Sequence, residues 1–68
     1  MHSSPKVNNV VIVYSAVYSV CDNGPIIGLI IKPIQYNCLV LITVRDKDDK
    51  KVNLFFYPQE ILCNLGEL

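Results

Sequence analysis

Runs of β-branched residues, separated by short turn signals, dominate the chain. The longest run, residues 7–21, is rich in valine and is followed by Asp22, Asn23, Gly24 and Pro25. Valine and isoleucine fit a pleated strand better than a helix, and an Asn-Gly pair tolerates the positive φ of a tight hairpin turn. The pattern predicts an all-β fold with a first strand over residues 9–21 and a tight turn at Asn23 and Gly24.

Three further runs have the same character. They predict strands over residues 25–32, 36–45 and 51–57. Gly28 predicts a bulge or a close backbone approach inside the second strand, and Pro33 is expected to end that strand because proline cannot donate to a sheet ladder. The charged residues 46–50 predict a solvent-exposed hairpin turn between the last two strands.

After Tyr57 the pattern changes. Pro58 suits the first position of a helix, and the apolar residues Ile61, Leu62 and Leu65 fall at helical spacing. This segment predicts a short helical turn that ends at Gly66.

Together these elements predict a small four- to five-stranded antiparallel sheet, or an SH3-like barrel, with a short C-terminal helical turn. We expect residues 1–68 to form one small β domain in which residues 1–6 are flexible.

Side-chain alternation predicts which face of each strand is buried, because residues two apart share a face. In the fourth strand the row with Lys51 and Asn53 is polar, so the other row is expected in the core. The expected core rows are Val10, Ile12, Tyr14, Ala16, Tyr18 and Val20, then Ile27, Leu29 and Ile31, then Tyr36, Cys38, Val40, Ile42 and Val44, then Val52, Leu54 and Phe56.

The opposite rows carry more apolar side chains than one small core can bury. Isolated domains seldom expose contiguous apolar patches larger than a few hundred Å². We therefore expect either the C-terminal Leu62 and Leu65 or another polypeptide to cover this second face. The residues predicted to bind a partner are Val11, Val13, Ile30, Leu39, Leu41, Phe55 and Tyr57.

Composition favours association with another protein over binding to nucleic acid. Of the 68 residues, 51% are hydrophobic, and six basic residues balance six acidic ones. A chain this short buries roughly 60% of the surface that its unfolded form exposes, so a second surface is a natural source of extra stability. Zero net charge weakens both phosphate binding and the repulsion between copies.

Residues that could carry chemistry are few. His2 is the one histidine, and it lies in the N-terminal segment. Asp46, Asp48 and Asp49 are interspersed with lysines and lack the spacing of a calcium loop, so we interpret them as a solvated turn. The aromatic residues lack the basic groove of a base-stacking platform and are assigned to core packing or protein contact.

The cysteines form no metal-binding or redox motif. Cys21, Cys38 and Cys63 are separated by 16 and 24 residues, without a CxxC pair. We expect three free and mostly buried thiols, with one disulfide or an intermolecular bridge as the alternative. No cofactor, metal site or small-molecule substrate is predicted.

The sequence thus predicts a non-enzymatic protein-interaction module that docks its second apolar face, or a strand edge, onto a partner protein. Such a module would suit a phage, viral or plasmid accessory protein that binds a host protein. The alternatives are an obligate homo-oligomeric structural or assembly subunit, and a small nucleic-acid-binding β-barrel. A cytoplasmic location is expected, because the uncharged run of 15 residues is shorter than the roughly 20 that span a membrane.

Overall fold

The protein is a single antiparallel β-sheet with a long loop packed across one face, as seen in a computed structural model that describes residues 5–34 and 38–68. The five strands are β1 (Asn9–Val13), β2 (Ile26–Ile34), β3 (Leu39–Arg45), β4 (Lys51–Phe56) and β5 (Ile61–Glu67). Their order across the sheet is β4-β3-β2-β1-β5, and each neighbouring pair is antiparallel. The all-β prediction is confirmed.

Of the two predicted architectures, the structure has the open sheet. Strands β4 and β5 lie at opposite ends of the strand order, so the sheet does not close into a barrel. The described helical structure consists of two 3-10 turns, Ser19–Cys21 and Pro58–Glu60.

The connection between β1 and β2 differs from the predicted tight hairpin. Strand β1 ends at Val13, and residues 14–25 form a loop that includes the Ser19–Cys21 turn. The amide of Gly24 donates to the carbonyl of Cys21 at 2.9 Å, and Gly24 has a φ of 110°. Gly24 therefore supplies a positive φ as predicted, but it closes a loop and does not connect two paired strands directly.

One face of the sheet and this loop enclose the hydrophobic core. The buried core residues are Val11, Val13, Cys21, Ile30, Val40, Ile42, Val44 and Phe56. The ring of Tyr18, from the loop, meets the ring of Phe56 edge-on, with centroids 5.2 Å apart and an interplanar angle of 66°. The loop thus serves as the second layer that a single sheet needs to bury one face. We call this side of the sheet the core face and the opposite side the outer face.

The predicted burial is correct for β3 and β4 and wrong for β1 and β2; Cys38, which was predicted in the same core row as Val40, is exposed before the start of β3. Val11, Val13 and Ile30, which were assigned to an exposed face, are fully buried. The strand register gives the reason, because paired residues of an antiparallel sheet point to the same face. Ile30 pairs with the core residue Ile42, and Val11 pairs with Gly28, two positions before Ile30 in the same core-facing row.

The predicted C-terminal helical turn is limited to Pro58–Glu60. There the amide of Tyr57 donates to the Glu60 carboxylate at 2.9 Å. From Ile61 onward the chain pairs with β1, which overrides the helical spacing of its leucines. Leu62 and Leu65 remain exposed on β5, so they do not cover the second apolar face, which was one of the two expected alternatives.

Strand β2 also runs further than predicted. A register shift between Ile30 and Lys32 accommodates an extra residue, and pairing with β3 continues through Pro33 to Ile34. Gly28 itself pairs regularly, but a Cβ atom there would lie 2.5 Å from Cγ2 of Ile42, so the predicted close approach is confirmed. The predicted start of the third strand at Tyr36 lies outside the described residues.

Candidate interaction surface

The outer face of the sheet is a mostly apolar surface left open to solvent. Its side chains come from all five strands: Val10, Ile12, Ile27, Leu29, Ile31, Lys32, Leu41, Thr43, Arg45, Lys51, Asn53, Phe55 and Cys63. Ile27 is 60% exposed and Phe55 is 48% exposed, whereas the core-facing Ile30 and Phe56 are fully buried. The loop of residues 14–25 packs on the other side of the sheet and leaves this surface open.

The register arranges these side chains in rows that cross the strands. One row places Val10 opposite Leu29, Leu29 opposite Thr43, and Thr43 opposite Asn53. The hydroxyl of Thr43 donates to Oδ1 of Asn53, so the polar end of this row is satisfied within the protein. In this row the aliphatic half therefore lies on β1 and β2, and the polar half lies on β3 and β4.

An open groove of about 570 Å³ follows the boundary between the two halves. Its aliphatic lining includes Val10, Ile27, Leu29 and Ile31. Arg45 and Lys51 line the groove at its charged end, and the two residues are direct cross-strand partners. A ligand in this groove would meet aliphatic side chains and two cations together.

Among the described residues of the outer face, every charged side chain is positive, and Leu68, the last residue of the sequence, also lines the groove. Its cations are Lys32, Arg45 and Lys51. The acidic residue on a described strand, Glu67, pairs with Asn9, whose side chain is buried on the core face. The other acidic residues, Asp22, Asp46, Asp48, Asp49 and Glu60, lie in turns and loops. The chain therefore has zero net charge, although the charged side chains on its outer face are positive.

Arg45 and Lys51 differ in how they are compensated. Arg45 donates to the carbonyl of Asp49 at 2.7 Å, and its guanidinium lies 3.6 Å from the Asp49 carboxylate. Both side chains of this ion pair are more than half exposed, so water and salt screen it. Lys51 makes no salt bridge within the described parts of the chain.

The edge strands of the sheet are less available for pairing with another chain than the outer face is for packing against one. In the β3–β4 hairpin the amide of Asp46 donates to the carbonyl of Lys50. Because such bonded pairs alternate along an antiparallel ladder, the backbone groups of Lys51, Asn53 and Phe55 point away from β3. The Phe55 carbonyl is already occupied, since it accepts the hydroxyl of Tyr18 at 2.6 Å.

The other edge strand, β5, is irregular. Its pairing with β1 is shifted twice, between Val10 and Val11 and between Ile12 and Val13. The Asn64 side chain also accepts the amide of Gly66 at 2.8 Å. Such irregularities make an edge a poor template for another strand.

The predicted partner-binding residues are divided between the two faces. Leu41 and Phe55 are direct neighbours on the outer face. Leu39 is half-buried at the start of β3, and Tyr57 is exposed after the end of β4. The remaining three, Val11, Val13 and Ile30, belong to the core.

Sequence reasoning missed the aliphatic part of the surface, formed by Val10, Ile12, Ile27 and Leu29. The local sequence has no signal for it, because only the strand register connects it to the polar row of Lys51 and Asn53. Followed through the register, that row leads from β4 to Thr43 on β3 and from there to Leu29 on β2.

Residues with reactive side chains do not converge on a second site within the described ranges. In those ranges no three histidine, cysteine or acidic side chains lie close enough together to hold a metal ion. Cys21 is buried, whereas Cys38 and Cys63 are exposed, so the expectation of mostly buried thiols is wrong; all three are free. The predictions for His2 fall outside the described residues. In the parts of the chain that are described, no helix is long and apolar enough to cross a membrane.

Comparisons with protein-family models, with curated proteins and with solved structures found no match.

Proposed function

We propose that the protein is a non-enzymatic interaction module that docks the outer face of its sheet onto another protein. The observation that carries this proposal is the continuous aliphatic surface of Val10, Ile12, Ile27 and Leu29, which stands open beside a groove. A sheet is normally covered on each apolar face by another layer, and here the loop of residues 14–25 covers one face alone.

Docking through the face is better supported than docking through an edge. Tyr18 occupies the Phe55 carbonyl on the β4 edge, and the β5 edge is irregular at two points. The outer face has no comparable protection, apart from cations at its margin. A partner that packs on Ile27 and Leu29 would remove aliphatic surface from water, at roughly 25 cal/mol per Å² before the costs of association.

The nucleic-acid alternative has less support. Single-stranded nucleic acid binds by stacking its bases on aromatic rings above a basic groove. The groove in this protein is lined mainly by aliphatic side chains, and its cations lie at one end. The cytoplasmic location and the role as an accessory protein remain part of this proposal.

The test compares two charge substitutions at apolar surface positions. Ile27→Lys places a charge in the outer face, and Val17→Lys places the same charge in the loop on the other side, where Val17 is 81% exposed. We expect both variants to fold, as measured by circular dichroism, because a lysine at an exposed position keeps its charge in water.

The functional readout is capture of proteins from the native cell with the wild type and both variants as bait. The proposal requires a protein that binds the wild type and Val17→Lys and is lost with Ile27→Lys. If Ile27→Lys captures the same proteins as the wild type, the proposal is contradicted. Sedimentation of the wild type over a concentration series tests the homo-oligomeric alternative at the same time.

A further inference from the structure

We infer that the outer face selects a partner segment in which aliphatic side chains lie beside a carboxylate, and that this carboxylate binds between Arg45 and Lys51. The inference rests on the proposed function, and it adds the chemistry of the partner.

The first support is the placement of two like charges directly opposite each other. Arg45 and Lys51 are cross-strand partners at the margin of the groove. Like charges in this arrangement destabilise a sheet unless another group compensates them. Within the described residues, Asp49 compensates Arg45 through an exposed contact, and Lys51 has no acidic partner. An arriving carboxylate would relieve this repulsion as well as pair with both cations.

The second support is distance. Neighbouring strands are about 4.8 Å apart, so a carboxylate at Arg45 on β3 would stand roughly one strand spacing from the aliphatic residues of β2. Side chains three or four residues apart on a helix are separated by about 5–6 Å, which is a similar interval. A short amphipathic segment can therefore place an acidic side chain on Arg45 and Lys51 while its aliphatic neighbours reach Ile27 and Leu29.

The same charges argue against a second copy of the chain as the occupant. Two outer faces packed together would bring Lys32, Arg45 and Lys51 of both copies to one interface, where Asp49 pairs with Arg45 and no described acidic residue pairs with Lys32 or Lys51. Removing unpaired cations from water costs free energy that aliphatic contacts must first offset. A different polypeptide that supplies carboxylates avoids this cost.

The test is selection of peptides from a random library displayed on phage. The wild-type protein is the target, and the uncharged variant Ile27→Asn serves for counter-selection, so that the retained peptides depend on the outer face and acidic peptides are not discarded for their charge. We expect the retained peptides to be enriched in glutamate or aspartate next to aliphatic residues, relative to the unselected library.

The decisive measurement is a double-mutant cycle on one retained peptide. Two peptides are compared, the retained one and a variant in which its acidic residue is replaced by the corresponding amide. The affinity of each is measured for the wild-type protein and for Lys51→Gln. We expect each single change to weaken binding about 5- to 10-fold and the combined change to add little more, because both remove the same ion pair. Lys47→Gln makes the same charge change in the hairpin turn, away from the outer face, and should alter affinity less than about 2-fold.

The outcomes separate the inference from the proposed function. Retained peptides without acidic residues, or cycles in which the two changes act independently, would overturn the inference and leave face docking intact. A library that yields no peptide dependent on Ile27 would contradict both. A wild-type dimer that Ile27→Lys dissociates would assign the outer face to a second copy and would also overturn the inference.

Discussion

The hydroxyl of Tyr18 donates a hydrogen bond of 2.6 Å to the backbone carbonyl of Phe55, across 37 positions of sequence. The ring of the same tyrosine packs edge-on against Phe56. One side chain thus fixes the loop of residues 14–25 to the core and also occupies an outward-facing carbonyl of the edge strand β4. The two contacts can be separated by substitution.

Tyr18→Phe keeps the ring and removes the hydrogen bond. We expect a loss of about 0.5–1 kcal/mol in the free energy of unfolding, at the lower end for a hydrogen bond because this one is exposed. Freeing the Phe55 carbonyl should also make the β4 edge more prone to pair with other chains. Denaturant unfolding and light scattering measure the two effects. Tyr14→Phe is the matched control, since the Tyr14 hydroxyl makes no hydrogen bond within the described residues; equal behaviour of the two variants would refute the role given to Tyr18.

Two adjacent phenylalanines provide a test of the sheet's two faces. Phe56 is fully buried in the core, whereas Phe55 is 48% exposed on the outer face. Phe56→Ala should lower the free energy of unfolding by about 3–5 kcal/mol, and Phe55→Ala by about 1 kcal/mol or less. Unfolding of the isolated chain in denaturant measures both. A larger loss for Phe55→Ala would mean that the two faces are reversed.

The tight contact at Gly28 predicts that substitutions on β2 and β3 have non-additive effects on the free energy of unfolding. A methyl group added there would meet Cγ2 of Ile42 at 2.5 Å and Cγ1 of Val44 at 3.1 Å. Gly28→Ala should therefore cost about 1–3 kcal/mol through overpacking. Ile42→Ala is destabilising as well, but it removes the clashing atom, so the double variant should be more stable than the sum of the two losses predicts. Strict additivity in denaturant unfolding would show that the two residues are not in contact.

The hairpin turn offers a stabilising change. Asp49 has a φ of 61°, in the left-handed region, and the amide of Asp49 donates to the carbonyl of Asp46 at 2.9 Å. Glycine adopts this conformation without the steric cost of a Cβ atom, and the ion pair with Arg45 that the change removes is exposed and screened, so Asp49→Gly should raise the free energy of unfolding by about 0.5 kcal/mol. Asp48→Gly has no positive φ to relieve and should be neutral or destabilising. If thermal unfolding ranks the two variants in the opposite order, the turn geometry is wrong.

The β3–β4 hairpin was predictable because polar and apolar residues alternate clearly in its sequence. Lys51 and Asn53 alternate with Val52 and Leu54, and a charged turn precedes them, so both the turn and the buried row could be assigned. Strand β1 has no such alternation of polar and apolar residues. Val10 and Ile12 are as apolar as Val11 and Val13, and alternation alone cannot choose between two apolar rows. The choice is made by pairing through Gly28 to the core residues of β3, which is a property of register and not of local sequence.

The loop and the last strand were missed for a related reason. Residues 14–21 have strand-like composition, yet the sheet needs a covering layer, and this segment contributes Tyr18 and Cys21 to it. Ile61 and the leucines after it have helical spacing, yet pairing with β1 determines their conformation. In both cases tertiary contacts override a local preference. Because the faces of β1 and β2 were predicted the wrong way round, Leu41 and Phe55 of the candidate surface were predicted, whereas its aliphatic residues on β1 and β2 and the cations Arg45 and Lys51 were not.

The position of β1 between β2 and β5 has a consequence for biosynthesis. One neighbour of β1 follows it closely in the chain, but the other, β5, begins at Ile61. While the ribosome is still making the residues in between, β1 has a bare side whose backbone groups are open to any extended chain nearby. Domains generally fold as units during synthesis, and incomplete sheets are prone to aggregate. The nascent protein therefore passes through an interval in which β1, an interior strand of the finished sheet, is an exposed edge strand, and that interval ends when β5 emerges.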